Sequence, residues 1–242
     1  MTHSEVAELN NIPLRRVDWP DAFRLIPSRF PPVELYEPVA PKEDWDALKR
    51  VEAMTNPRLR EKGGAGLLLP EDRVVEQNWL VAPFAYPDPE PSLYSDGSYG
   101  VCVIAQSLHS ALLISIRRRE DFLSRTKEPP TRLVMRVIKA PICAKLHDLT
   151  QSPKMDAGVS ARPLVQQLRQ AKSYGFLLVG PKGGKDRLAI ILRPTAFVPP
   201  AVQAEHYCFI WNGERIHQIF AFKEGQVIDP NDLARSTSRS AA

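Results

Sequence analysis

The stretch His206–Phe222, HYCFIWNGERIHQIFAF, decides the fold. Two runs of alternating apolar and polar side chains flank Asn212-Gly213. That arrangement is the strongest short-range signal of a β-hairpin, because these residues tolerate the positive φ that a tight reversal between twisted strands needs. Alternation at period two turns one side of each strand toward a core and the other toward solvent. Working outward, further strands are expected at Leu188–Pro194 (LAIILRP) and Phe176–Gly180 (FLLVG), joined by the turn PKGGKD at 181–186. Arg132–Ala140 (RLVMRVIKA) alternates in the same way and is closed by Pro141, while Gly100–Ala105 (GVCVIA) is an apolar run behind the turn signal SDGSYG.

Helical spacing appears in three places. In SLHSALLISIRRREDFL the residues Leu108, Ala111, Leu112, Ser115 and Ile116 fall on one face, with Ser107 placed to accept a hydrogen bond as N-cap. Ala161–Ala171 is amphipathic on Leu164, Val165 and Leu168, and Pro41–Met54 places Trp45, Leu48, Val51 and Glu52 at helical intervals before Asn56-Pro57 ends it. The sum is an α+β fold. It is a single domain over 16–223, with short, mainly antiparallel strands in one or two sheets and two or three packed helices. An N-terminal arm (1–15) precedes it and a flexible tail (224–242) follows.

Composition narrows the class. With 43% apolar and 25% charged residues among 242, the chain sits at the globular average, which excludes a disordered, collagen-like or coiled-coil protein. No apolar run approaches the ~20 residues of a membrane-spanning helix. The opening MTHSEVAELNN carries acidic residues and no apolar segment, so it does not read as a secretory signal. The 23 prolines outnumber the 12 glycines and cluster between elements, which marks stiffened connections over one body. Cys102, Cys143 and Cys208 form no CxxC and each lies among apolar neighbours, so buried, reduced thiols in a cytoplasm are expected. The net charge of +4 owes much to Arg117–Arg119, which run straight into Glu120 and Asp121 and read as a solvated helix end. Neither direct nucleic-acid binding nor a membrane partner is expected.

Motifs for chemistry are sparse. PKGGKD lacks the GxxxxGK[ST] spacing and lies between strand-like runs, so it reads as a hairpin turn. The five histidines are scattered without ligand-spaced partners, and no metal is expected. His147-Asp148 reads as a surface turn rather than a dyad. Gly158–Arg162 (GVSAR) is not a GxSxG nucleophile elbow, and Ser160 is open between a cap and a functional role.

Several segments nevertheless keep a recognisable order: Trp19–Pro32 (WPDAFRLIPSRFPP), Met54–Arg60 (MTNPRLR), Tyr94–Val101 (YSDGSYGV), Glu128-Pro129-Pro130, Leu146–Leu149 (LHDL) and Leu192-Arg193-Pro194. Spanning roughly Arg15 to Phe222, this pattern resembles the RES-domain family. The resemblance implies an ADP-ribosyltransferase-like fold and a toxin of a bacterial toxin–antitoxin pair. Such toxins consume NAD by hydrolysis, phosphorolysis or ADP-ribose transfer. It also implies a helix-turn-helix antitoxin as partner and a homodimer. Carried over residue by residue, the first family arginine matches Arg24 and the family serine matches Ser160, giving both a catalytic and an NAD-binding expectation. The second arginine falls on Leu93, the tyrosine on Val103 and the glutamate on Ile114.

Three of five polar positions are therefore aliphatic. Breaking the nicotinamide–ribose bond builds positive charge on the sugar, which Ile114 cannot stabilise, and Leu93 cannot fork onto a pyrophosphate. Two readings stay open: a RES-type protein whose NAD site has decayed but which retains nucleotide or antitoxin binding, and an active NAD-degrading toxin in which Glu90 or Glu120 supplies the missing carboxylate.

Overall fold

At the deciding hairpin, Asn212 N–H donates to the Arg215 carbonyl (3.1 Å), and the Asn212 side-chain oxygen accepts from Glu214 N (3.0 Å) and Arg215 N (2.8 Å). Gly213 takes φ +102°, so the glycine occupies the first central position of the turn. The structure, a computed structural model, describes residues 11–28, 41–44, 47, 48, 50, 51, 54, 78–152, 161–181 and 184–235. Its strands are β1 (Leu14–Trp19), β2 (Phe23–Pro27), β3 (Cys102–Ala105), β4 (Thr131–Lys139), β5 (Ile142–Asp148), β6 (Gly175–Val179), β7 (Arg187–Ile191), β8 (Val202–Trp211), β9 (Ile216–Ala221) and β10 (Gln226–Ile228). All ten form one sheet in the order β1-β5-β6-β7-β3-β2-β4-β8-β9-β10. Every neighbouring pair is antiparallel except β5 and β6.

Four α-helices stand among the described residues: α1 (Asn78–Ala85), α2 (Leu108–Thr126), α3 (Arg162–Gln170) and α4 (Pro230–Arg235). The α+β class and the antiparallel sheet are as the sequence predicts, and α1 and α4 are helices beyond those expected. Ser107 does cap α2, its side chain accepting from Ser110 N at 3.2 Å. Of the helix expected over Pro41–Met54, a 3-10 turn at Lys42–Asp44 and helical backbone at Ala47, Leu48, Arg50, Val51 and Met54 are described; the rest of that stretch lies outside the described residues.

The sheet is covered on both sides. Phe176, Leu178, Ile190, Met135, Phe209 and Trp211 pack against Ala111, Leu112, Ile116 and Leu123 of α2 and Val165 and Leu168 of α3. On the reverse face Ile104, Ile138, Ile142, Leu177 and Ile191 pack against Leu80 and Phe84 of α1. Each such side chain, once buried, contributes about 1.5–3 kcal/mol. Runs such as GFLLV and RLAII are apolar throughout because both faces are covered.

The margins differ from the sequence expectation. β1 begins inside the expected arm, at Leu14, and forms one sheet edge with Arg15 and Arg16 exposed. At the other end, the segment read as a flexible tail supplies β10, which pairs with β9, and α4, which packs on α2 and β9. Both elements are too short and polar to show a period. No described helix is long and apolar enough to cross a membrane.

Candidate functional site at the junction of β2 and β3

Pairing nearly lapses between β2 and β3. Only Phe23 and Ala105 register across it, whereas β2 pairs with β4 from Phe23 to Pro27 and β3 pairs with β7 along its whole length. Below that single rung, side chains rather than backbone fill the space. Arg24 turns into it, and its Nη1 donates to the Cys102 Sγ at 3.5 Å. From α2, Arg118 approaches closely enough that its charge is felt at both Arg24 and Cys102.

The electrostatics follow from this crowding. Burial pushes the Cys102 thiol above its ordinary value, while the Arg24 and Arg118 charges pull the other way. Such a protonated, enclosed sulfur is a poor nucleophile. Arg118 keeps solvent-exposed surface, yet desolvation by neighbouring protein atoms and then the Arg24 charge push it below its ordinary value, with Asp88 and Cys102 opposing. Asp88 is itself engaged, its Oδ1 accepting from Glu90 N at 3.1 Å. The Arg24 and Arg118 charges disfavour each other across this junction, α2 lying on the face opposite the one from which Arg24 and Cys102 project. That repulsion is relieved by an anion, and the planar fork of arginine suits phosphate or carboxylate oxygens.

Among the described positions expected from the sequence, Arg24 leaves the sheet on the face opposite Val103 and Ile114. Side chains alternate across a strand, so Arg24 and Cys102 belong to the face covered by α1. Val103 and Ile114 pack, partly buried, on the face covered by α2. Leu93 is about one-third exposed, and its carbonyl accepts from Ala161 N at 2.8 Å. Ser160 lies outside the described residues; the N-cap position of α3 is occupied by Ala161, whose side chain makes no capping bond. Both candidate replacement carboxylates are committed elsewhere. Glu120 Oε1 accepts from Ile216 N at 2.8 Å, and Glu90 Oε2 pairs with Arg125 Nη1 at 2.9 Å on the surface.

The turn that carried much of the resemblance is internally bonded. Ser98 donates from N and Oγ to Asp96 Oδ1 (3.0 and 2.6 Å), Gly97 N donates to Ser95 Oγ (3.0 Å), and Tyr99 OH donates to the Tyr94 carbonyl (3.0 Å). Gly97 holds φ +94°, and an added Cβ at Gly100 would collide with the Pro83 carbonyl of α1. Burial raises the Tyr94 hydroxyl to about 12. Arg169 of α3 lies over the Tyr99 ring at 4.0 Å. This loop is a structural clasp joining α1, β3 and α3.

Other expectations resolve individually. His147 and Asp148 are strand residues, not a turn, and they do not form a dyad: His147 Nδ1 meets Ser173 Oγ (3.0 Å), while Asp148 pairs with Arg15 (3.1 Å) and Thr150. PKGGKD does connect two antiparallel strands, β6 and β7, and its Asp186 accepts from Ser110 Oγ. Cys102 and Cys208 are buried, but Cys143 is exposed, because it sits on the outward side of β5. No group of three potential metal ligands converges among the described residues.

Arg118 is the residue that sequence reading missed. Its signal was present in the triplet Arg117–Arg119, but at 100° per residue a helix sends three consecutive side chains in three directions, and only the packed fold says where each arrives.

No protein-family model matches the sequence. The chain is 35% identical over 213 residues to "Uncharacterized protein y4oC" of Sinorhizobium fredii (strain NBRC 101917 / NGR234), an alignment covering 87% of this chain and 92% of that one. With that identity sustained along nearly the whole length of both proteins, the chain belongs to the family of y4oC.

Proposed function

We propose that this chain is a cytoplasmic RES-type protein that no longer consumes NAD and that holds the phosphates of a nucleotide between Arg24 and Arg118. The observation that carries the reading is the fate of the carboxylates. On the resemblance the glutamate position falls on Ile114, which packs against the α2-side core, while Glu90 and Glu120 bond elsewhere. Absence of a positioned general acid or base costs about 10²–10⁴-fold in rate. The aliphatic replacements also remove the cost of burying polar groups without partners. The paired guanidiniums are what remains for an anionic ligand. A helix-turn-helix antitoxin and a second copy of the chain are the partners this reading implies.

The test combines turnover and binding. Purified protein is incubated with NAD, with and without phosphate, and nicotinamide is followed by chromatography; none above the blank is expected. Titration calorimetry with NAD and ADP-ribose should show saturable binding that Arg24→Ala and Arg118→Ala each weaken about tenfold or more. Nicotinamide release that vanishes in Arg24→Ala would establish the competing reading, an active NAD-degrading enzyme. Neither release nor binding would end the nucleotide assignment.

A further inference from the structure

One residue before Arg118 on α2, and directed elsewhere, Arg117 lines a cavity of about 490 Å³ bounded by α2, α4 and the start of β9. Leu113, Pro181, Pro230 and Ala234 supply the accessible apolar part of its wall, with Ile116 and Ile216 buried beneath, and Arg117 and Arg215 stand at its solvent side. Neither guanidinium has an ion-pair or hydrogen-bond partner among the described residues. Glu120 also faces the cavity, but one of its oxygens is held by the Ile216 N–H.

This lining selects a ligand class. The volume falls within the range of small-molecule sites, roughly 300–1,000 Å³. Among the described residues no aromatic side chain lines it, so none of them stacks on a planar base. The two arginines and Glu120 leave one positive charge in excess, which matches a single carboxylate better than a doubly charged phosphate. We propose that this cavity is a second binding site, distinct from the β2–β3 junction, for an aliphatic carboxylate. Its head is gripped by Arg117 and Arg215, and its chain lies on Leu113, Pro181, Pro230 and Ala234. The inference stands independently of the nucleotide reading.

The experiment uses the full chain and decanoate as probe, with decanol (the same chain, uncharged) and acetate (the charge without the chain) as comparisons, by titration calorimetry. Decanoate should bind one per chain, and decanol and acetate at least about tenfold more weakly. Arg117→Gln and Arg215→Gln should each weaken decanoate about tenfold while leaving the circular dichroism spectrum and the melting temperature unchanged, because both side chains are exposed and neither has a partner among the described residues. Arg24→Ala should leave decanoate binding intact. Absence of saturable decanoate binding, equal binding of decanol, parent-like affinity in both arginine variants, or loss of decanoate binding in Arg24→Ala would each overturn the proposal.

Discussion

β4 and β8 register at eight positions interrupted by a single bulge, whereas β2 and β3, adjacent to them in the sheet, register at one. The two junctions differ in what fills them. Along the first, Met135, Phe209 and Trp211 are almost wholly enclosed. Along the second, a guanidinium reaches a sulfur where backbone pairing would otherwise continue. Continuous pairing gives a region rigid enough to carry the fold, and its local lapse gives side chains room to meet something other than the core. Function sites commonly sit on such interruptions held by a firm scaffold.

The comparison is broken most directly by truncation. Phe209→Ala should lower unfolding free energy by about 3–5 kcal/mol in urea titrations, because the ladder around it cannot collapse into the void. Cys102→Ala, at the lapse, should cost roughly 1 kcal/mol, and equal losses would erase the distinction. Next in size is Glu120→Ala, which strands the Ile216 N–H against α2 and should cost about 1–3 kcal/mol by the same measurement. It should leave nucleotide binding at Arg24 unchanged, since Glu120 serves the hairpin and not the junction. Ser107→Ala removes the cap of α2 and should cost about 1 kcal/mol.

The smallest effect is a pH dependence at β5. Burial holds His147 below its ordinary value of 6.5, with the Gly175 backbone opposing. The unfolded chain therefore takes up a proton more readily than the folded one. The contribution is complete above the ordinary value and is lost as pH falls through it toward the depressed folded value. Urea midpoints compared at about pH 7.5 and about pH 5.5 should show this decline, and His147→Gln should flatten it.

Period and punctuation made much of the sheet legible. The runs around Asn212-Gly213, the alternation in RLVMRVIKA and the serine before LHSALL each carry their own local instruction, and each element forms where that instruction lies. β1 gives no such sign, because in LRRVDW only Val17 is buried and four residues face water. α1 is obscured by the internal Pro83. The candidate site was half visible. Arg24 could be singled out as a residue, but its partner depends on the side of the strand it leaves from and on which of three adjacent arginines on α2 points the same way. Those are properties of packing, and no local pattern records them.

The outermost strands have a consequence for solution behaviour. β1, unpaired on its outer side among the described residues, carries two exposed cationic side chains, and β10 ends after three residues before the chain turns away into α4. An incoming chain seeking to extend the sheet meets like charge on one side and almost no template on the other. A protein this rich in extended backbone thus guards itself against fibrous stacking, and neutralising Arg15 and Arg16 together is where that guard would first fail.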